Sequence, residues 1–191
     1  MPVSGFVSAK AQALLCYLAV TRQPHKRETL ATLLWGDSPD AEARANLRTV
    51  LTNLRKLVGP YIQTDRDIIS FNQASPYWLD VEVFETLLTT SISDSGIQLS
   101  VQAIELYRGD FLQGFTVRNA SDFEMWQISQ RERFHQMALR ALGIVSKQRM
   151  ERGEFAAAID YTRWLLALEP WQEEAHRQLM QLLVKSDQRS A

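Results

Sequence analysis

The stretch SPDAEARANLRTVLTNLRKLVG, residues 38–59, leaves the chain little choice of local structure. Leu47, Leu51, Leu54 and Val58 recur at spacings of three and four, which places them on one stripe of an α-helix. Ser38 is expected as its N-cap, with Pro39 at the first helical position. Asp40 and Glu42 fall in the first turn and Arg55 and Lys56 near the end, each complementing the helix dipole. Gly59-Pro60 is a stop signal. Arg44, Arg48, Thr52 and Arg55 share a second face, joined at its edges by Thr49 and Lys56. A helix entering the DNA major groove needs such a face. Arginine reaches phosphates and forks onto guanine, and threonine or asparagine contacts other base edges. Taken alone, the same face also fits a solvated surface with dipole-complementary charges.

The segments before and after this helix sharpen the choice. Residues 8–21 form a helix with Ala11, Leu14, Leu15, Leu18 and Ala19 as its buried stripe. Pro24 breaks it. Residues 27–34 make a short second helix with Leu30, Leu33 and Leu34 inward, closed by Trp35 and ended by Gly36. After the long helix the period changes. Residues 61–64 and 68–71 are rich in aromatic and β-branched residues and flank Asp65-Arg66-Asp67, the pattern of a β-hairpin. Three helices followed by a hairpin is the order of a winged helix-turn-helix, with the third helix as reader and Arg66 at the tip of the wing. A wing arginine can contact a phosphate or enter the minor groove; a solvated turn residue is the plainer reading. His25, Lys26 and Arg27 could likewise form a phosphate-contacting cluster or a solvated helix start.

From residue 80 onward the pattern is all-helical. Residues 72–79 are a connector. Asp80 caps a helix over about 81–90, residues 91–98 are a polar loop, and residues 100–108 form another helix. Residues 109–119 make a loop whose Phe111 and Phe115 should pack inward. Ser121 and Glu124 have capping-box spacing at the head of a helix running to about Arg152. Gly153-Glu154-Phe155 then separates two helices, Ala158 suits a tight helix crossing, and Glu169-Pro170 ends the second. This resembles a tetratricopeptide repeat, whose 34-residue period leads from Gly153 to a second break at Asp187, with Leu179 and Leu183 in apolar repeat positions. Leu165 stands where a small residue is usual. The expectation for the end of the chain is a fragment of a longer protein, or a partner covering the repeat.

Charge supports two modules. Residues 1–75 carry nine Lys or Arg against six Asp or Glu, a net of +3; residues 76–191 carry twelve against sixteen, a net of −4. The expected domains are therefore 1–75, a winged helix-turn-helix with its N-terminal strands missing or truncated, and 76–191, an all-α repeat domain. No apolar run approaches the length of a membrane span and no signal peptide is visible. The single cysteine, Cys16, excludes a disulfide framework and fits a cytoplasmic protein with a buried structural thiol.

Five stretches now combine: LATLLWGD (30–37), ARANLRTVLTNLRKLVG (43–59), LYRGDFLQGF (106–115), FEMWQISQRER (123–133) and ERGEFAAAI (151–159). In this order the chain resembles the bacterial transcriptional activators of the antibiotic-regulatory-protein (SARP) type, an OmpR-like winged helix joined to a helical-repeat bacterial transcriptional activator domain (BTAD). The resemblance spans nearly the whole chain and rests on the set of motifs in order. It implies sequence-specific DNA binding through the third helix and a helical domain for protein contacts or regulation. Carried over by position, the reading helix falls on residues 46–56, with Arg48, Thr49, Thr52, Asn53 and Arg55 facing DNA. Two departures stand out. Relatives begin with several strands that form a platform, whereas seven residues precede the first helix here, and Asn53 stands where a basic residue is common.

Enzyme chemistry finds little support. There is no Gly-rich phosphate loop and no GxSxG, and His25, His135 and His176 lack metal-ligand spacing, so no catalytic, cofactor or metal site is expected. His135 and His176 suit packing or surface roles. Arg131-Glu132-Arg133 suits a charged helix face, which in this family would orient the aromatic loop through ion pairs. Trp35, Trp78, Trp126, Trp164 and Trp171 are expected as core or module-junction residues. The leading reading is a DNA-binding transcriptional regulator, an activator, that contacts double-stranded DNA through Lys26, Arg27, Arg44, Arg48, Thr49, Thr52, Asn53, Arg55, Lys56 and Arg66. It would be dimeric on DNA and would meet RNA polymerase or another protein through its repeats. The alternative is a protein-interaction scaffold that has lost DNA binding. A third reading, compatible with the first, is the N-terminal module of a larger signalling ATPase or cyclase-like protein.

Overall fold

The structure is a computed structural model that describes residues 3–91 and 96–190. The chain divides into two compact units. The first holds residues 1–79 together with 112–130, and the second holds 80–111 and 131–191.

In the first unit, α1 (Ala9–Thr21), α2 (Arg27–Trp35) and α3 (Asp40–Val58) enclose a leucine-rich core. Leu14, Leu18, Leu30, Leu34 and Leu54 are fully buried, with Leu47 and Leu51 almost so. Leu15, Ala19 and Leu33 are only partly buried. The Ser8 hydroxyl caps α1, accepting the Ala11 amide at 3.3 Å. The cap of α3 lies one residue later than expected. Pro39 is the N-cap, and its carbonyl takes the Ala43 amide at 2.9 Å, while the Ser38 amide closes the preceding turn onto the Trp35 carbonyl. A single 3-10 turn over Gly59–Tyr61 leads into β2 (Ile62–Thr64), so Tyr61 is not yet strand. β2 pairs antiparallel with β3 (Ile68–Phe71) in the register Ile62↔Phe71 and Thr64↔Ile69.

A third strand joins them. β1 (His25–Lys26) pairs antiparallel with β3, giving the sheet order β1-β3-β2. Two residues carry no periodicity, so sequence patterning had no signal for this strand.

Residues 112–130 complete this core. Val117, Ala120 and Phe123 are buried in it, and Trp126 lies edge-on to Tyr17 with ring centroids 4.8 Å apart. Lys10 stitches the segment in place. Its ammonium donates to the carbonyls of Leu34 and, at 2.8 Å, Asn119, and sits 5.2 Å from the centre of the Trp35 ring. Desolvation by burial lowers its pKa, with Asp37 opposing the shift.

The second unit contains α4 (Asp80–Thr90), α5 (Ile97–Leu106), the later part of α6 (Ser121–Glu151), α7 (Phe155–Leu168) and α8 (Glu173–Ser190). Of the polar loop over 91–98, residues 92–95 lie outside the described residues, and the helix expected over 100–108 begins earlier, at Ile97. α6 starts at Ser121, and the Glu124 amide bonds to the Ala120 carbonyl at 3.0 Å rather than closing the expected box. Phe111 and Phe115 are both partly buried, but in separate clusters: Phe111 beside Phe134, Phe115 against Phe123 in the first unit. Tyr107 is buried, and burial together with the Asp110 carboxylate pushes its phenol up to about 12.

The repeat holds in one half only. Gly153 adopts a left-handed φ of 74°, which a side chain would strain, and turns the chain into α7. Ala158 is fully buried, and its carbonyl accepts from Ser146 at 3.0 Å and Thr162 at 2.8 Å. Gln178 of α8 donates to Ser146 at 3.1 Å, so three helices share one buried polar knot. The break expected at Asp187 is absent, because α8 continues through it to Ser190. Leu183 is exposed, and Leu182 takes the fully buried place. Of the tryptophans expected at core or module-junction positions, Trp78 and Trp171 are exposed, at 70% and 88%, and so are not core residues. Cys16 is half-buried. Among the described residues no helix is long and apolar enough to cross a membrane.

Candidate nucleic-acid interface

Every apolar stripe residue of α3 faces the core, which fixes the rotation of the helix and aims the opposite face at solvent. Arg44, Arg48, Thr49, Thr52, Arg55 and Lys56 are all exposed. Among the described residues, the side chains of Arg44, Arg48 and Lys56 make no hydrogen bond or ion pair. Successive turns thus present cations together with two hydroxyls. Those hydroxyls donate backwards, Thr49 to the Ala45 carbonyl at 3.2 Å and Thr52 to the Arg48 carbonyl at 2.9 Å. With the proton so committed, each threonine offers an acceptor lone pair and a methyl group. That suits an adenine or cytosine amino group, or a thymine methyl.

The two edges of this face are built differently. On one edge Arg55 donates to the Thr64 hydroxyl, tying the helix to β2. The hairpin beyond is turned by Asp65, whose amide bonds to the Ile68 carbonyl at 2.9 Å and whose carboxylate accepts the Arg66 amide at 2.7 Å. Arg66 is exposed at its tip, between two exposed acids.

Arg27, expected to contact phosphate, is engaged by the hairpin. Its guanidinium donates to the carbonyls of Arg66 at 3.0 Å and Asp65 at 3.3 Å, and its amide bonds to Asp67 at 2.9 Å. It fixes the hairpin turn. Lys26 remains exposed on β1, opposite Ile68. His25 turns inward instead of joining a basic cluster. Its ring lies 4.9 Å from that of Tyr17, and its Nε2 is 2.7 Å from the Thr21 hydroxyl. That hydroxyl gives its proton to the Tyr17 carbonyl at 2.8 Å, so Nε2–H is the donor to it. Burial lowers the pKa of His25 and raises that of Tyr17.

On the other edge stands Asn53, expected among the DNA-facing residues. It is half-buried, and both ends of its amide are engaged by the N-terminal segment. Its Nδ2 donates to the Gly5 carbonyl at 3.1 Å, and its Oδ1 accepts the Val7 amide at 3.2 Å. An asparagine at this position supplies the donor–acceptor pair that an extended peptide needs, which a basic residue could not.

The remaining candidates have ordinary partners. Arg131 donates to the Phe111 carbonyl at 2.8 Å, so it does hold the aromatic loop, by a hydrogen bond to its backbone. Arg133 pairs with Glu85. His135 lies 3.4 Å from the Tyr107 hydroxyl and 3.9 Å from Glu169, and His176 bonds the Pro170 carbonyl at 2.8 Å. Within the second unit a shallow cavity of about 380 Å³ is lined by Glu105, Tyr107, Arg108, Gly109, Trp164 and Leu168. Among the described residues there is no group of three or more His, Cys, Asp or Glu able to hold a metal ion.

The model of one family, the bacterial transcriptional activator domain, matches residues 79–191, more than half of the chain. The chain belongs to that family. No curated protein matches it. The matched region begins just before α4, yet it includes residues 112–130, which pack in the first unit. This activator-domain segment therefore supplies core to the body that carries α3.

Proposed function

We propose that the chain is a DNA-binding transcriptional regulator, an activator, whose first unit is a winged helix-turn-helix. The observation that carries the reading is the exposed face of α3. Among the described residues, Arg44, Arg48 and Lys56 stand free in a row with Thr49 and Thr52, and the row is bordered by the β2–β3 hairpin. Helix α3 is the reader and the hairpin the wing. Arg48 and Thr52 lie at the centre of the face and read bases. Arg44, Lys56 and Lys26 neutralise phosphates, and Arg66 reaches the backbone or minor groove from the wing. Arg55 contributes from the edge while it braces the wing. Arg27 and Asn53 shape the interface from behind it. Membership of a transcriptional activator family supports the regulatory role.

With four or five phosphate contacts the affinity is modest and falls steeply with salt, and paired binding on repeated half-sites raises it. The second unit makes the protein contacts, with RNA polymerase or another protein. Met180, Leu183 and Val184, exposed at helical spacing on α8, supply an apolar face for them. The setting is the bacterial cytoplasm.

The test is fluorescence-anisotropy titration of the full chain with a randomised duplex pool at low and moderate salt, followed by sequencing of the bound fraction. Salt-sensitive binding with an enriched motif is the expected result. Absence of binding at low salt refutes the reading and leaves a protein-interaction scaffold.

A further inference from the structure

The edge of α3 opposite the hairpin carries a second built feature. Asn53 and Leu57 lie one turn apart on that edge, next to Thr49 and Lys56 of the exposed face. Residues 5–7 are laid against it. The Asn53 amide holds the backbone of Gly5 and Val7 by two hydrogen bonds, at 3.1 and 3.2 Å. Gly5 adopts φ +91°, a conformation that side chains rarely take, and a Cβ there would stand 3.4 Å from Leu57. Phe6 packs partly buried against the core of the first unit. Immediately afterwards the Ser8 cap locks the chain into α1. The segment is thus fixed at three successive points, while Val3, Ser4, Gly5 and Val7 remain exposed.

We propose that residues 4–7 form a second flank of the DNA interface, placed there by Asn53, and that this flank contacts the phosphate backbone beside the groove entered by α3. The inference rests on the reading of α3 as the DNA-binding helix. A duplex seated on Arg48 and Thr52 extends past both edges of the helix, because its groove walls are two phosphate strands. The hairpin meets one wall and the N-terminal segment stands at the other. No residue from 3 to 9 is charged, so the contact is a neutral one, made by the Ser4 hydroxyl and backbone amides. Such donors fix the register of the protein on the duplex without reading bases. Asn53 is therefore a positioning residue. Its amide reaches DNA through the segment it holds.

The experiment compares the unaltered chain with Asn53→Ala and Gly5→Ala on a duplex enriched by the unaltered chain. Asn53→Ala removes both bonds and favours the helix; Gly5→Ala strains the same segment through its positive φ while leaving every residue of α3 unaltered, its Cβ only in ordinary contact with Leu57. Hydroxyl-radical footprinting and phosphate-ethylation interference read the contacted backbone, and affinity is measured across a salt series. Both variants should lose protection of the phosphates on one side of the site only. Affinity should fall about three- to tenfold, as for one or two lost hydrogen bonds. The salt slope and the preferred bases should stay unchanged, because no charge and no base contact is removed. An unchanged footprint in both variants overturns the proposal, even if affinity falls, since Asn53 would then act only on the helix. Failure of the wild type to bind any duplex overturns the DNA-binding reading itself, and the flank with it.

Discussion

Truncating Phe123 to alanine tests whether the activator-domain segment is part of the body that bears α3. Phe123 is fully buried in the first unit, with its ring 5.3 Å from Trp126 and 6.3 Å from Phe115. Replacing a buried phenylalanine by alanine costs about 3–5 kcal/mol, from lost transfer energy and the cavity left behind. The two ring contacts lie within the range where aromatic pairs add to simple burial, so the upper half of that span applies. A loss of about 4 kcal/mol is a large part of a typical domain's stability and multiplies the open population by roughly a thousand. Hydrogen exchange followed by mass spectrometry resolves where this falls. Protection of the amides around Leu14 and Leu18 in α1 and Leu47 to Leu54 in α3 should drop by up to about three orders of magnitude, and DNA affinity should fall with it. Amides of α7 and α8 should keep theirs. If α1 and α3 kept full protection while the loss was confined to the second unit, residues 112–130 would not belong to the first core.

Other perturbations have equally definite signs. Arg48→Ala should relax base preference at one position, losing about 1–3 kcal/mol of discrimination, whereas Lys56→Ala should weaken all sequences alike and flatten the salt slope by about one unit; both are read in the selection and anisotropy assay. Because burial lowers the pKa of His25, the unfolded chain takes up its proton first as pH falls below 6.5, and the first unit loses stability from there down through the lower folded pKa. His25→Gln should flatten that slope in urea titrations run at a series of pH values, and an unchanged slope would show that His25 titrates normally. Thr162→Val removes one hydroxyl from the buried knot with Ser146, 2.6 Å away, and should cost the second unit about 1–3 kcal/mol in chemical denaturation while DNA affinity stays the same.

Sequence by itself settled the elements whose signal is local. The leucine stripe of α3 fixed its length and rotation, and with them the exposure of Arg44, Arg48, Thr52 and Lys56. The β-branched runs around Asp65 marked the hairpin, and Gly153 marked the turn into α7. These features depend on neighbours three or four positions away, or on the backbone freedom of one residue.

Tertiary structure decided what depended on residues far along the chain. Arg27 and Arg66 look alike as charges, but only the folded hairpin places backbone carbonyls within reach of Arg27. Nothing in the residues around Asn53 signals that the N-terminal segment, 46 and 48 residues earlier, brings Val7 and Gly5 to its amide. Strand β1 exists because β3 offers it an edge, and two residues have no pattern of their own. Leu182 and Leu183 are chemically identical, and the packing of α8 on α7 buries one and exposes the other. The same holds for residues 112–130. Their helical and aromatic character was legible, but their membership of the first core was not, because burial is a property of the partner surface as much as of the residue.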